Sequence, residues 1–71
     1  MKYIRLMEAT VDGPRSALVL GSEIVEVTTA LGPKPPNGTK SLVWRREYKE
    51  PLAVMDDIAS IAVQLSELPD L

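Results

Sequence analysis

The densest group of side chains equipped for chemistry is the run Trp44-Arg45-Arg46-Glu47-Tyr48-Lys49. On an extended strand Arg45 and Lys49 share one face, where two cations could clamp a phosphate or carboxylate, and Trp44 offers a ring for a base to stack on. Lys34, in the proline-rich stretch upstream, adds a further cation. The same residues also admit a structural reading, which is favoured. Trp44 and Tyr48 then lie in the core beneath a helix, and the charges are solvated or paired across strands with Glu47 and Glu26.

Catalytic groups are otherwise scarce. The chain has no histidine and no cysteine, so the usual general base, the thiol nucleophile, disulfides and Cys/His zinc sites are all missing. Ser16, Ser22, Ser41, Ser60 and Ser66 stand in no G-x-S-x-G or S-x-x-K setting. Asp56 and Asp57 are neighbours, and on a helix adjacent side chains point about 100° apart rather than converging. They read as acids favouring a helix N-terminus. Gly13, Gly21, Gly32 and Gly38 are isolated turn glycines and form no phosphate-binding loop. No catalysis, metal or cofactor is expected.

Seventy-one residues make one small domain over 1–71, near the lower limit at which a single core suffices. The formal charge of −2 hides an asymmetry. Lys34, Lys40, Arg45, Arg46 and Lys49 against Glu47 leave residues 32–49 at +4, whereas Glu50, Asp56, Asp57, Glu67 and Asp70 leave residues 50–71 at −5. Such a split can orient the molecule on a charged partner or on a second copy. An acidic chain lacks the broad basic footprint of a nucleic-acid binder. No apolar run reaches the ~20 residues of a membrane span, and Met1-Lys2-Tyr3-Ile4-Arg5 is unlike a signal peptide. A cytoplasmic location with no membrane partner is the expectation.

The elements that must position these groups are legible from period. Val54, Ile58, Ile61, Leu65 and Leu68 recur at steps of four and three, one apolar stripe on a helix over about 52–68. Pro51 suits its first turn and Pro69 its end. Upstream, Tyr3–Val11 reads as a first strand, Asp12-Gly13-Pro14-Arg15 as a turn, and Ser16–Leu20 as a short strand buried on both faces. Gly21-Ser22-Glu23 is a bulge or tight turn before a third strand, Ile24–Ala30. Residues 32–39, with three prolines and Asn37-Gly38, form an exposed hairpin loop leading to a fourth strand, Lys40–Lys49. The fold class is α+β: a small antiparallel sheet of about four strands, then one C-terminal amphipathic helix packed on one face.

With that order in place, the chain resembles the small FlbD-like proteins, known from flagellar operons and from short bacterial and phage open reading frames. The resemblance rests on Met1-Lys2-Tyr3-Ile4-Arg5-Leu6, on Ala17-Leu18-Val19-Leu20-Gly21-Ser22-Glu23-Ile24-Val25-Glu26-Val27, and on Tyr48-Lys49-Glu50 leading into the helix. That family commonly has a Lys-Glu-Ser junction here; this chain has Pro51 at the third place and an extra Pro33-Lys34-Pro35-Pro36. The resemblance implies the sheet-plus-helix fold and supplies no catalytic residues.

The functional expectation is a small non-catalytic interaction protein, a homo-oligomer (dimer or larger) that binds another protein, such as a phage accessory or host-modulating factor. Its binding residues would be Lys34, Arg45, Arg46, Lys49 and Trp44. Two alternatives remain: an oligomer that sequesters a small anionic ligand or nucleotide, and a structural part of a flagellar or virion assembly.

Overall fold

The computed structural model describes residues 2–31 and 38–67. Five strands and one helix follow in the order β1 (Tyr3–Thr10), β2 (Gly13–Leu20), β3 (Ile24–Thr29), β4 (Ser41–Arg45), β5 (Leu52–Val54) and α1 (Ile58–Ser66). The strands form one sheet ordered β2-β1-β5-β4-β3, antiparallel at every pair. The protein is α+β, with a small antiparallel sheet and a C-terminal helix.

The β1–β2 hairpin turns through Val11-Asp12 and sets the register Thr10 opposite Gly13 through Tyr3 opposite Leu20. Thr10 Oγ1 donates to the Gly13 carbonyl at 2.6 Å and accepts from Asp12 N–H at 3.2 Å. Gly13 has φ +115°, a conformation that favours a residue without a Cβ.

The sheet cannot be flat. Strands β2 and β3 lie at opposite ends of the order, about 19 Å apart if four interstrand steps were laid in a plane. Only the 3-10 turn Gly21–Glu23 joins them, and three such residues advance about 6 Å. The sheet therefore rolls until its two edges approach at one end. Gly21 N–H donates to the Lys2 carbonyl at 3.0 Å and Arg46 N–H to the Glu23 carbonyl at 2.8 Å, tying the turn to both halves.

Inside the roll lie Ile4, Leu6, Val19, Val43, Val54 and Ile61, with Ile24, Val27, Leu52 and Leu65 packed around them. The helix supplies Ile61, which is fully buried, and Leu65 at the next turn of the same stripe. Among strand residues, those two apart share this inward face: Ile4 and Leu6 on β1, Ser41 and Val43 on β4.

Three expectations need correction. The helix begins at Ile58, not near residue 52, because Leu52–Val54 instead fills the gap between β4 and β1, opposite Ser41–Val43 and Glu8. Val54 thus continues the apolar stripe only in sequence; its burial comes from the sheet. The fourth strand ends at Arg45, where a turn sends the chain back as β5, so the sheet has five strands rather than about four. Lastly, β2 is not buried on both faces: Val19 is buried but Leu18 is 60% exposed, since alternation turns Leu18, like Arg5 opposite it, to the outside of the roll. Pairing of β3 with β4 agrees with the expected hairpin, while residues 32–37 of its loop lie outside the described residues.

The helix starts where side-chain chemistry permits. Asp57 takes an extended backbone (ψ 168°) and its Oδ1 accepts from Ser60 N–H at 2.8 Å, an N-cap. This bond, reinforced by the Ser60 side chain and the charge of Lys40, holds the Asp57 carboxyl below its ordinary pKa.

Strand β5 is only three residues long, so most of the inner edge of β1 would be left without a ladder partner. One further backbone group and two side chains continue it. Met55 N–H donates to the Met7 carbonyl at 2.7 Å, and Asp56 Oδ1 accepts from Met7 N–H at 2.7 Å. Further along, within the helix, Gln64 Oε1 accepts from Arg5 N–H at 3.1 Å while Nε2 donates to the Arg5 carbonyl at 2.9 Å. A primary amide reproduces the donor–acceptor pair of a peptide group, so Gln64 acts as one more residue of strand. The Asp56 carbonyl in turn accepts from the buried Ser41 Oγ at 2.7 Å.

Candidate functional site

The residues singled out in sequence fall at the end of β4 and in the following turn. Arg45 is the last strand residue, and Tyr48 N–H donates back to the Arg45 carbonyl at 3.2 Å, closing a turn. The turn folds the Tyr48 ring under Arg45, whose guanidinium carbon sits 3.6 Å from the ring centroid, a cation–π contact. Arg45 Nε is buried without a hydrogen-bond partner. Arg46 is exposed, and its Nη2 reaches the Ser22 carbonyl at 3.4 Å. Lys49 is exposed in the bend that follows. Arg45, Arg46 and Lys49 thus cluster along one turn. An ion pair forms elsewhere, on the β1–β2 hairpin, between Arg15 and Glu8 at 3.0 Å. Lys34 lies outside the described residues.

Trp44 does not join them. The inward face of β4 belongs to Val43, so Trp44 points the opposite way, half-buried, with its indole N–H donating to Thr28 Oγ1 at 3.1 Å. The expected placement of Trp44 and Tyr48 in the core beneath the helix fails for a simple reason. The strand face carrying Leu42 and Trp44 is the outside of the roll, and Tyr48 lies beyond the strand, 52% exposed. Nor, among the described residues, are the basic side chains paired with Glu47 or Glu26; Glu26 stands across from Trp44.

Asp56 and Asp57 are both spoken for, one by Met7 N–H and one by Ser60 N–H. They border an open groove of about 530 Å³ along the helix, lined also by Ala59, Ser60, Val63 and Gln64. Among the described residues no three acidic side chains gather into a group fit to hold a metal ion.

Sequence reading buried Ser16–Leu20 on both faces, whereas apolar side chains of this hairpin reach the surface. Tyr3, Met7 and Leu18 are all exposed and lie on the outward face of the β1–β2 hairpin, where Tyr3 faces Leu20 and Arg5 faces Leu18. The signal was available: once Asp12-Gly13 fixes a hairpin, alternation puts Leu18 and Leu20 opposite in sense to Val19.

No protein-family model, curated protein or solved structure matches the chain. Among the described residues, no helix is long and apolar enough to cross a membrane.

Proposed function

We propose that this chain is a small, non-catalytic, self-associating interaction protein of the cytoplasm that works by docking on another protein. One observation carries the reading. Among the described residues, nine large hydrophobic side chains are exposed, against seven hydrophobic residues in the core. Single exposed apolar residues are ordinary, but a contiguous patch marks an interaction surface. Tyr3, Met7 and Leu18 share one face of one hairpin, and a domain this small gains from association.

The second surface of this reading is the basic turn Arg45, Arg46 and Lys49, with Lys34 from the proline-rich loop, which suits an acidic partner. Its test is a pull-down with the chain as bait. Alanine at Lys34, Arg45, Arg46 and Lys49 should abolish capture of whatever the wild type retains. Capture undiminished by all four substitutions overturns the basic turn as the docking surface.

The rival reading, sequestration of a small anion by the same turn, draws support from the orphaned Arg45 Nε and the absence of a carboxylate partner among the described residues. A ligand mass released from the purified protein on denaturation would favour it. The likeness to FlbD-like proteins supports a place in a flagellar or phage setting only by association of pattern.

A further inference from the structure

We infer that the free edge of β2, over Ser16–Leu20, pairs antiparallel with the same edge of a second copy, about a twofold axis through Leu18. This rests on the self-association proposed above and names the surface that performs it.

The direction of the backbone groups follows from the bonds already described. Arg5 and Met7 point their N–H groups toward Gln64 and Asp56, away from β2. In an antiparallel strand successive residues face alternate sides, so the even residues of β1 bond β2 through its odd residues, Val19, Ala17, Arg15 and Gly13. The bond from Gly21 N–H to the Lys2 carbonyl obeys the same parity. It follows that Ser16, Leu18 and Leu20 aim their N–H and C=O groups outward. β2 is the terminal strand of the sheet, and among the described residues no backbone hydrogen bond engages that side.

Such an edge is a template for another strand unless it is blunted by charge, proline or a bulge. Ser16-Ala17-Leu18-Val19-Leu20 has none of these. The blunting residues stand just outside it: Pro14 lacks the outward N–H a longer ladder would need, and beyond Leu20 the chain enters the 3-10 turn. The other terminal strand differs, since β3 carries a register shift between Ile24 and Glu26 and packs against α1.

The bounds select both the partner and the register. Pro14 and Ser22 lie equally far from Leu18, so the open window is symmetric about it. Leu18 set against its own copy places Ser16 opposite Leu20 in both directions and yields about six ladder hydrogen bonds. Arg15 then meets Gly21 rather than another arginine, and it keeps its ion pair with Glu8. The uncharged window imposes no like-charge cost on self-pairing, and Leu18 is covered by its own copy. A second copy fits this edge by symmetry; a charged peptide would find nothing there to recognise.

The test uses the residue on the axis. Leu18→Lys and Leu18→Glu each set like charges face to face, and each should weaken self-association about tenfold or more. Mixed in equal amounts, the two variants set opposite charges across the axis and should recover the dimer. Sedimentation velocity reads all three samples beside the wild type. In parallel, amide exchange of the wild type should show Ser16, Leu18 and Leu20 protected at high concentration and unprotected on dilution, a readout that needs no variant to fold. A wild type that stays monomeric at every concentration overturns both the inference and the self-association it rests on. A wild-type dimer whose Leu18 variants still dimerise, or whose mixture recovers nothing, overturns the edge pairing alone.

Discussion

Replacing Gln64 probes the unusual element of this fold, a side chain that stands in for a strand. Its amide makes two hydrogen bonds with the backbone of Arg5, at 3.1 and 2.9 Å, across 59 residues of sequence. Each such bond contributes about 0.5–1.5 kcal/mol net. Both are exposed to water, which takes over part of each when the side chain is removed, so Gln64→Ala should cost about 1–2 kcal/mol. In a domain of this size that lowers the melting temperature by roughly 4–15 °C. Gln64→Glu sharpens the test. A carboxylate still accepts from Arg5 N–H but presents its second oxygen to the Arg5 carbonyl, so the folded state favours the protonated form. The folded pKa of the introduced carboxyl would rise above the ordinary ~4.3. Stability from its protonated form is then full in acid, below that ordinary value, and lost as pH rises through the raised one. Thermal unfolding followed by circular dichroism, at one fixed protein concentration because association shifts the midpoint, measures both effects. Amide exchange at Arg5 should accelerate in the alanine variant. An unchanged melting point with unchanged Arg5 exchange would mean that Ile61 and Leu65 alone hold the helix, and the strand-mimic argument would be refuted.

Three further outcomes follow from the same contacts. Ser41→Ala removes the buried hydroxyl that donates to the Asp56 carbonyl at 2.7 Å; stranding that acceptor should cost about 1–3 kcal/mol in urea unfolding, and no loss would mean water replaces the bond. Gly38 has φ +90°, and a Cβ there would stand 2.7 Å from Met55 Cε. Met55 Cε is the tip of a flexible side chain and can swing aside, so the backbone decides: Gly38→Ala and Gly13→Ala, at φ +90° and +115°, should each destabilise by about 1 kcal/mol or more; no loss in urea unfolding at either site would refute the backbone argument. The Asp57 carboxyl, held below its ordinary pKa of 3.8 by Ser60 N–H, contributes stability present above that value and lost as pH falls through the lowered one. Asp57→Asn keeps the cap without the titration, so its unfolding curves should show a weaker acid dependence than the wild type.

Much of the architecture was legible because period and turn chemistry are local. Asp12-Gly13 and the alternation around it specify the β1–β2 hairpin, and Ile61 and Leu65 mark the buried stripe of the helix. The errors share one cause, which is that pairing partners are not local. Leu52-Ala53-Val54 carries a helical stripe and follows a proline, yet the sheet has a gap between β4 and β1 that these residues fill. The stronger start signal, Asp57 three residues before Ser60, stands in the sequence but competes there with Pro51. For Trp44, alternation separates it correctly from Val43, but which face of β4 turns inward depends on how the sheet rolls. That is set by the three-residue connection from β2 to β3. The basic cluster at Arg45, Arg46 and Lys49 was visible as composition; the stacking of Arg45 on Tyr48 required the turn.

The central claim is that the free β2 edge of one molecule pairs with the same edge of another copy. Native mass spectrometry of the purified protein tests it most directly. The account predicts a species of two chains, each of 7.8 kDa, with no added mass, giving way to monomer for Leu18→Lys. A wild type found only as single chains, at concentrations where a dimer would be retained, contradicts it.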